Sequence, residues 1–141
     1  MTSIVDQYLM VLNGMLIGIM LFFVVVVSPV VFKTLSQDEA ARFLRAIFPR
    51  LFLVGLFTSS VMIMLSIVGG ERDLSLISTA IAIGFALNYF ILTPNINKTR
   101  DKVLAGDVQK EKLFKILHFL SVAIFFIQIC ACIFIVVANI R

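Results

Sequence analysis

The sequence predicts an all-α membrane protein, a four-helix bundle that forms one transmembrane domain over residues 1–141. Apolar residues make up 61% of the chain and charged residues 14%, with a mean hydropathy of +1.10. Soluble domains carry about 45–50% apolar and about 25% charged residues. The apolar residues also cluster into four blocks of the length that a helix needs to cross a bilayer. These blocks predict helices at about 8–32, 51–68, 74–92 and 114–140.

The first block is expected to be a retained helix and not a cleaved signal peptide. Signal peptides place an apolar stretch of roughly 7–15 residues after a basic segment and before a small-residue cleavage site. The block here is longer, no Lys or Arg precedes it, and no such site follows it.

The distribution of basic residues predicts the orientation, because positive charge is enriched on the cytosolic side of membrane proteins. Nine of the twelve Lys and Arg residues lie between the first and second or between the third and fourth helices, and a tenth, Lys115, lies in the first turn of the fourth helix. Arg72 and Arg141 are the other two. The prediction is that both long loops are cytosolic and both termini face outside, as in a bacterial inner-membrane protein. The net charge of +4 needs no nucleic acid to explain it.

A short phrase occurs twice, as SPVVFKT from Ser28 to Thr34 and as TPNINKT from Thr93 to Thr99. Because proline cannot continue the helical hydrogen-bond ladder, each copy is interpreted as the end of a helix at the cytosolic surface. The chain then consists of two helical hairpins in parallel repeat, related by a pseudo-two-fold axis along the membrane normal. Duplication and convergence on a common helix-exit chemistry both remain open explanations.

The first loop predicts a short cytosolic amphipathic helix between helices 1 and 2. Ser36 followed by Glu39 fits a capping box, in which each side chain bonds the other's backbone N–H. Apolar residues including Phe43 and Leu44 then recur at helical spacing, and Pro49 is expected to end this helix.

Small residues at four-residue spacing predict close helix packing in the membrane. They occur in helices 1 to 3, and any spare face could serve a homodimer; the pairs are Gly14 with Gly18, Gly55 with Ser59, and Ala80 with Gly84.

A layer of polar residues is the candidate site. His118, the single histidine, shares one face of helix 4 with Ser121. At the same predicted depth the other helices contribute Ser28, Arg50, Asn88 and Asn95. One interpretation is interhelical hydrogen bonding; the other is a small polar pocket that opens to the cytosol and uses His118 as a functional or gating residue.

The order of these motifs resembles the transmembrane-protein-205-like family, a membrane domain of unknown function. The residues that carry the resemblance are Gly18, Pro29-Val30-Val31-Phe32, Leu35, Ile47-Phe48-Pro49, Pro94, Asn97, Arg100, Phe114, His118 and Ser121. The resemblance implies a four-helix membrane fold and no agreed biochemical activity. Phe125 stands where the family pattern has an asparagine.

Three functions compete. The first is a non-catalytic small-ligand-handling module or an accessory subunit of a larger membrane complex, because no nucleophile–base pair, phosphate loop or metal quartet is present in the sequence. No cofactor is expected for it. The second is haem or metal binding through His118, which would need a second ligand. The third is transport of a small solute, which parallel repeats suit but the lack of a carboxylate within the apolar blocks does not.

Overall fold

The fold was analysed in a computed structural model that describes residues 4–140, and side-chain surroundings for residues 4–137. The start of the predicted outside tail and Arg141 lie outside the described residues. Within them the chain is helical between short turns and has no strand. The four long helices are α1 (Ile4–Thr34), α2 (Gln37–Val68), α3 (Arg72–Leu104) and α4 (Glu111–Ile140), the last preceded by a 3-10 turn. The predicted all-α four-helix bundle is confirmed, and the chain is a multi-pass membrane protein.

The helices form a ring in chain order. Each one packs against the next, and α4 returns to α1, whereas described residues of diagonal helices do not approach within 8 Å between Cα atoms. The turns at residues 35–36 and 105–107 lie at one end of the bundle, which we name the basic end. The turn at residues 69–71 lies at the opposite end. Gly70 and Gly106 have φ values of +75° and +99°, a conformation that favours glycine.

The helices are longer than the sequence predicts, and the extra length lies mainly at the basic end. The apolar spans contain 31, 32, 33 and 30 residues. At about 1.5 Å per residue they reach roughly 45–50 Å, against a hydrocarbon core of about 30 Å. Helix α2 therefore begins at Gln37 and not near residue 51, and α3 continues to Leu104 and not to residue 92.

The prediction that Pro29 and Pro94 end their helices is wrong. In α1 a π-helical turn, Phe23–Val27, comes immediately before the first phrase, and in α3 the π-helical turn Leu87–Leu92 comes before the second. The N–H of Ser28 bonds the carbonyl of Phe23, and the N–H of Thr93 bonds that of Asn88, both five residues back. The wider turn rearranges the hydrogen-bond ladder next to the proline, which has no N–H to give, so the helix continues.

The separate amphipathic helix between helices 1 and 2 is also a wrong prediction, although its start is correct. The capping box is present: Ser36 N–H donates to Glu39 Oε2 at 3.0 Å, and Ser36 Oγ accepts from Glu39 N–H at 3.4 Å. Pro49 lies inside α2 and does not end it. Ala40 and Phe52, on either side of Pro49, are both buried, so α2 packs against the bundle before and after the proline.

Small residues allow close packing in two of the three predicted helices. A Cβ added to Gly55 would lie 2.4 Å from the Phe85 ring, and one added to Gly84 would lie 2.9 Å from Gln128 Nε2. These glycines hold α2 against α3 and α3 against α4. Gly14 and Gly18 are exposed and meet no atom within 4 Å, so their face is unpartnered within the described chain.

Candidate ligand site

A cavity of about 700 Å³ opens at the basic end, and all four helices contribute to its lining. Its apolar part contains Phe23, Val24, Phe32, Leu35, Ala40, Ala41, Leu44, Phe48, Phe52, Ile96, Phe114, Val122, Phe125 and Phe126. Its polar part contains Ser28, Gln37, Arg45, Thr93, Asn97, Arg100, His118 and Ser121. Ligand pockets in proteins range over roughly 300–1,000 Å³, so the space suits a small molecule.

The cavity exists because α1 and α4 separate where the first π-helical turn begins. Residues Ile4–Phe22 pack against α4, but no described residue of Phe23–Thr34 comes within 8 Å of α4 between Cα atoms. Phe32 and Phe126 line the cavity beside this gap, and both are more than half exposed. The gap leaves the cavity open between α1 and α4.

Aromatic rings form the deep wall of the cavity. The ring centroids of Phe23 and Phe48 are 5.1 Å apart, those of Phe48 and Phe52 5.7 Å, and those of Phe52 and Phe125 6.3 Å. These distances lie in the range for favourable ring contacts. Three helices therefore share a packed apolar surface that a hydrocarbon group could lie against.

The repeated phrases place polar side chains on the cavity. Ser28 and Thr93, the first residues of the two phrases, both line it, as do Phe32 and Asn97 four residues later. On α3 the spacing of Thr93, Asn97 and Arg100 puts all three on one face. The two copies thus occupy corresponding positions on diagonal helices, on opposite sides of one cavity.

The polar lining has a positive electrostatic balance. Arg45 forms an ion pair with Asp101 of α3, in which Nη1 and Nη2 of the guanidinium both donate to the carboxylate. Arg100 has no hydrogen bond or ion pair among the described residues, and no described Asp or Glu lines the cavity. Asp101 also interacts electrostatically with Arg100, without an ion pair. One carboxylate thus faces two guanidinium groups, which leaves a net positive charge at the edge of the site.

Three predicted site residues, His118, Ser121 and Ser28, line the cavity together. The His118 ring stacks on Phe114, with centroids 6.1 Å apart, and makes no hydrogen bond to a described residue. Ser121 Oγ donates to Asn88 Oδ1 at 2.5 Å. Asn88 is fully buried behind the lining, and its Nδ2 has no partner among the described residues.

The other two predicted residues lie outside the lining. Arg50 is exposed, and its Nη1 donates to the carbonyl of Ala46, one turn back in its own helix, at 2.5 Å. Asn95 is also exposed, and its Nδ2 donates to the carbonyl of Ile91 at 2.7 Å.

Sequence reasoning placed Thr93 at the depth of the polar layer but missed four polar residues of the lining nearer the basic end: Gln37, Arg45, Asn97 and Arg100. The sequence prediction ended helix 3 at residue 92 and therefore placed Asn97 and Arg100 in a loop. In a loop, helical spacing does not place residues on a common face. The signal was present, because their spacing from Thr93 is helical.

No metal centre is evident in the described part of the chain, which has no group of three or more His, Cys, Asp or Glu side chains able to hold an ion. His118 is the one imidazole that the cavity offers, since the chain contains a single histidine. No Cys or Met is among the described lining residues.

A family model described as "Domain of unknown function (DUF4149)" matches residues 11–105. The match includes both π-helical turns and the phrases that follow them. It ends at the turn after α3, so His118 and Ser121 of α4 lie beyond it. No curated protein and no solved structure matches the chain. With two thirds of its length matched by that model, the chain belongs to the family of proteins that carry this domain of unknown function.

Proposed function

We propose that the protein is a non-catalytic membrane protein that binds a small amphiphilic ligand in the cavity at its basic end. The observation that carries the proposal is a cavity of about 700 Å³ with an aromatic deep wall and a polar edge. A ligand with an apolar body and a polar head would satisfy both parts.

The route of entry supports a ligand that partitions into the bilayer. The gap between α1 and α4 faces sideways, and exposed apolar residues surround it. A water-soluble polar molecule would gain little from this opening, whereas a lipid-like molecule can move through it without leaving an apolar environment.

The chain contains no tryptophan, so a single introduced indole can report on the cavity. Phe126→Trp places it at the sideways opening. A monoacyl amphiphile with a brominated tail, added at a few mole per cent to nanodiscs holding the variant, should quench its fluorescence saturably. Unbrominated amphiphile in excess should restore the signal.

Phe90→Trp is the matched control, because Phe90 is exposed on α3 and does not line the cavity. Bromine in the surrounding bilayer should quench this indole weakly and without saturation. Equal, unsaturable quenching at both positions would contradict ligand binding in the cavity.

The proposal also covers the membrane, the orientation and the partners of the protein. We place the protein in the bacterial inner membrane with the basic end cytosolic, among proteins like the transmembrane-protein-205 family. The unpartnered face at Gly14 and Gly18 is where a second copy or another subunit of a membrane complex would pack. Crosslinking through a cysteine introduced at Met15 between these glycines, in a variant lacking Cys130 and Cys132, tests for the second copy.

Haem binding through His118 is the alternative, because that imidazole lies on the cavity. The described lining supplies one nitrogen ligand and no second His, Cys or Met. A six-coordinate haem would then require His118 from two chains. A Soret band in the purified protein that is lost in His118→Leu would favour this alternative, and a colourless protein would reject it. A role in transport would instead require solute movement across vesicles that hold the protein.

A further inference from the structure

We infer that the ligand of the cavity carries an anionic headgroup, phosphate or carboxylate, and that Arg100 binds it with help from Asn97 and Thr93. The inference rests on the proposed function and specifies the class of ligand.

Charge is the first argument. Among the described lining residues the two full charges are both arginines, and one of these, Arg45, is neutralised by Asp101. Arg100 is half-buried, adjacent in sequence to Asp101, and without an ion pair of its own. A guanidinium presents five N–H donors in a planar fork that matches the oxygens of phosphate or carboxylate. Asp101 interacts with both guanidinium groups, so a neutral headgroup would still leave a net positive charge beside an apolar cavity.

Unused hydrogen-bonding capacity is the second argument. Among the described residues, the side chains of Ser28, Gln37, Thr93, Asn97 and His118 make no hydrogen bond, although all line the cavity. Elsewhere in the bundle several hydroxyl and amide groups bond backbone carbonyls of their own or a neighbouring helix, as Ser59, Ser66 and Gln128 do, although Ser78 Oγ lacks a partner there. The unbonded groups at the cavity share one space. They are hydroxyl, amide and imidazole groups that can donate to an anion with several acceptor oxygens.

The order of groups along the cavity is the third argument. Arg100 and Asn97 lie toward the basic end, and the rings of Phe52 and Phe125 lie toward the middle of the helices. An amphiphile that enters between α1 and α4 would therefore place its head near Arg100 and its tail against the aromatic wall. A lipid headgroup and a free anion share this chemistry, and the tail distinguishes them.

The test compares three probes on the full chain in a neutral detergent, with binding read by native mass spectrometry. Lysophosphatidate has a phosphate and one tail, monoacylglycerol has the tail without the charge, and inorganic phosphate has the charge without the tail. Lysophosphatidate is expected to bind at least about tenfold more tightly than monoacylglycerol, since hydrogen bonds to charged groups exceed neutral ones by this order. Inorganic phosphate should bind weakly.

Arg100→Gln should abolish the preference for lysophosphatidate and leave the binding of monoacylglycerol unchanged. Arg100→Lys should retain part of the preference for lysophosphatidate, because lysine keeps the positive charge. Lys102→Gln is the matched control, because Lys102 is an exposed cation on the same helix and does not line the cavity. It should keep the preference. Thermal melts of every variant confirm that the bundle is folded.

Each outcome has one meaning. Equal binding of lysophosphatidate and monoacylglycerol to the native chain overturns the anionic site and leaves the amphiphile cavity standing. Equal loss in the Arg100→Gln and Lys102→Gln variants reduces the effect to surface charge and also overturns the site. Phosphate binding as tight as lysophosphatidate binding supports the anionic site but assigns it to a free anion. Failure of all three probes overturns both proposals.

Discussion

The hydrogen bond from Ser121 to Asn88 joins α4 to α3 directly behind the cavity. Asn88 is fully buried, and its Nδ2 already lacks a partner among the described residues. Unpaired polar groups are expensive in a membrane interior, so this bond fixes the rotation of both helices relative to the site. Its position explains how Ser121 can face the cavity while Asn88 does not.

Removing the hydroxyl tests that bond. Ser121→Ala would leave the whole Asn88 amide without a side-chain partner, and we expect the free energy of unfolding to fall by about 0.6–1.7 kcal/mol. Ser60→Ala is the control, because this exposed hydroxyl bonds only the Leu56 carbonyl of its own helix. Unfolding by dodecyl sulfate titration would measure both, and an equal effect would contradict the role of the Asn88 bond.

Substitutions of His118 test separately whether this residue contributes to stability and whether it contributes to ligand binding. The ring makes no hydrogen bond to a described residue, so His118→Gln and His118→Leu should both change the unfolding free energy by less than about 0.5 kcal/mol. Both should weaken ligand quenching of the Phe126→Trp reporter. Native quenching in the Gln variant would remove His118 from the site, and marked destabilisation by Leu would make it a packing residue.

At the scale of single helices, the two π-helical turns determine where the site forms. Each comes directly before a hydroxyl–proline pair, and each brings that hydroxyl to the cavity. The first marks the point where α1 leaves α4. The twofold occurrence of the phrase therefore has a structural explanation: both copies continue a helix through a proline and aim one face at the same space.

Gly55 is packed against a neighbouring helix and Gly18 is not, so alanine substitutions at the two positions can be compared directly. Gly55→Ala would put a methyl group 2.4 Å from the buried Phe85 ring, and overpacking of this kind costs about 1–3 kcal/mol of unfolding free energy. Gly18→Ala meets no atom within 4 Å and should be neutral or stabilising by up to about 1 kcal/mol, because alanine is the better helix former. Destabilisation by Gly18→Ala would show instead that another chain covers that face.

Helices were predictable from sequence, but their ends at the basic end were not. Apolar length identifies all four spans, and the exchange between Ser36 and Glu39 marks a true helix start. The prediction was wrong at Pro29, Pro49 and Pro94, because local sequence rules treat a proline as the end of a helix. Tertiary contacts and π-helical turns carry each helix past it. Depth, together with the shared face of His118 and Ser121 on helix 4, was enough to group His118, Ser121 and Ser28, which all line the cavity. Grouping Asn97 and Arg100 with them required the longer α3.

For the whole molecule, the orientation in the membrane stays a prediction from charge, and the structure sharpens its test. Residues 105–107 form an exposed turn between helices, so a reporter inserted between Gly106 and Asp107 would not interrupt one. The excess of Lys and Arg at this end predicts a cytosolic reporter there and an outside reporter fused after Arg141. Cytosolic activity from the carboxyl-terminal fusion would reverse the assignment.

Helices of 30 to 33 residues are longer than the hydrocarbon core of a bilayer, which is about 30 Å thick. Biological membranes differ in hydrocarbon thickness by a few Å, and each residue of a helix rises about 1.5 Å. A membrane thicker by about 3 Å therefore covers roughly two more residues along α3, about one at each end, which is a part of the step from Asn97 to Arg100. We therefore expect the hydrocarbon thickness of the host membrane to change how much of the cavity opening at the basic end is exposed to water.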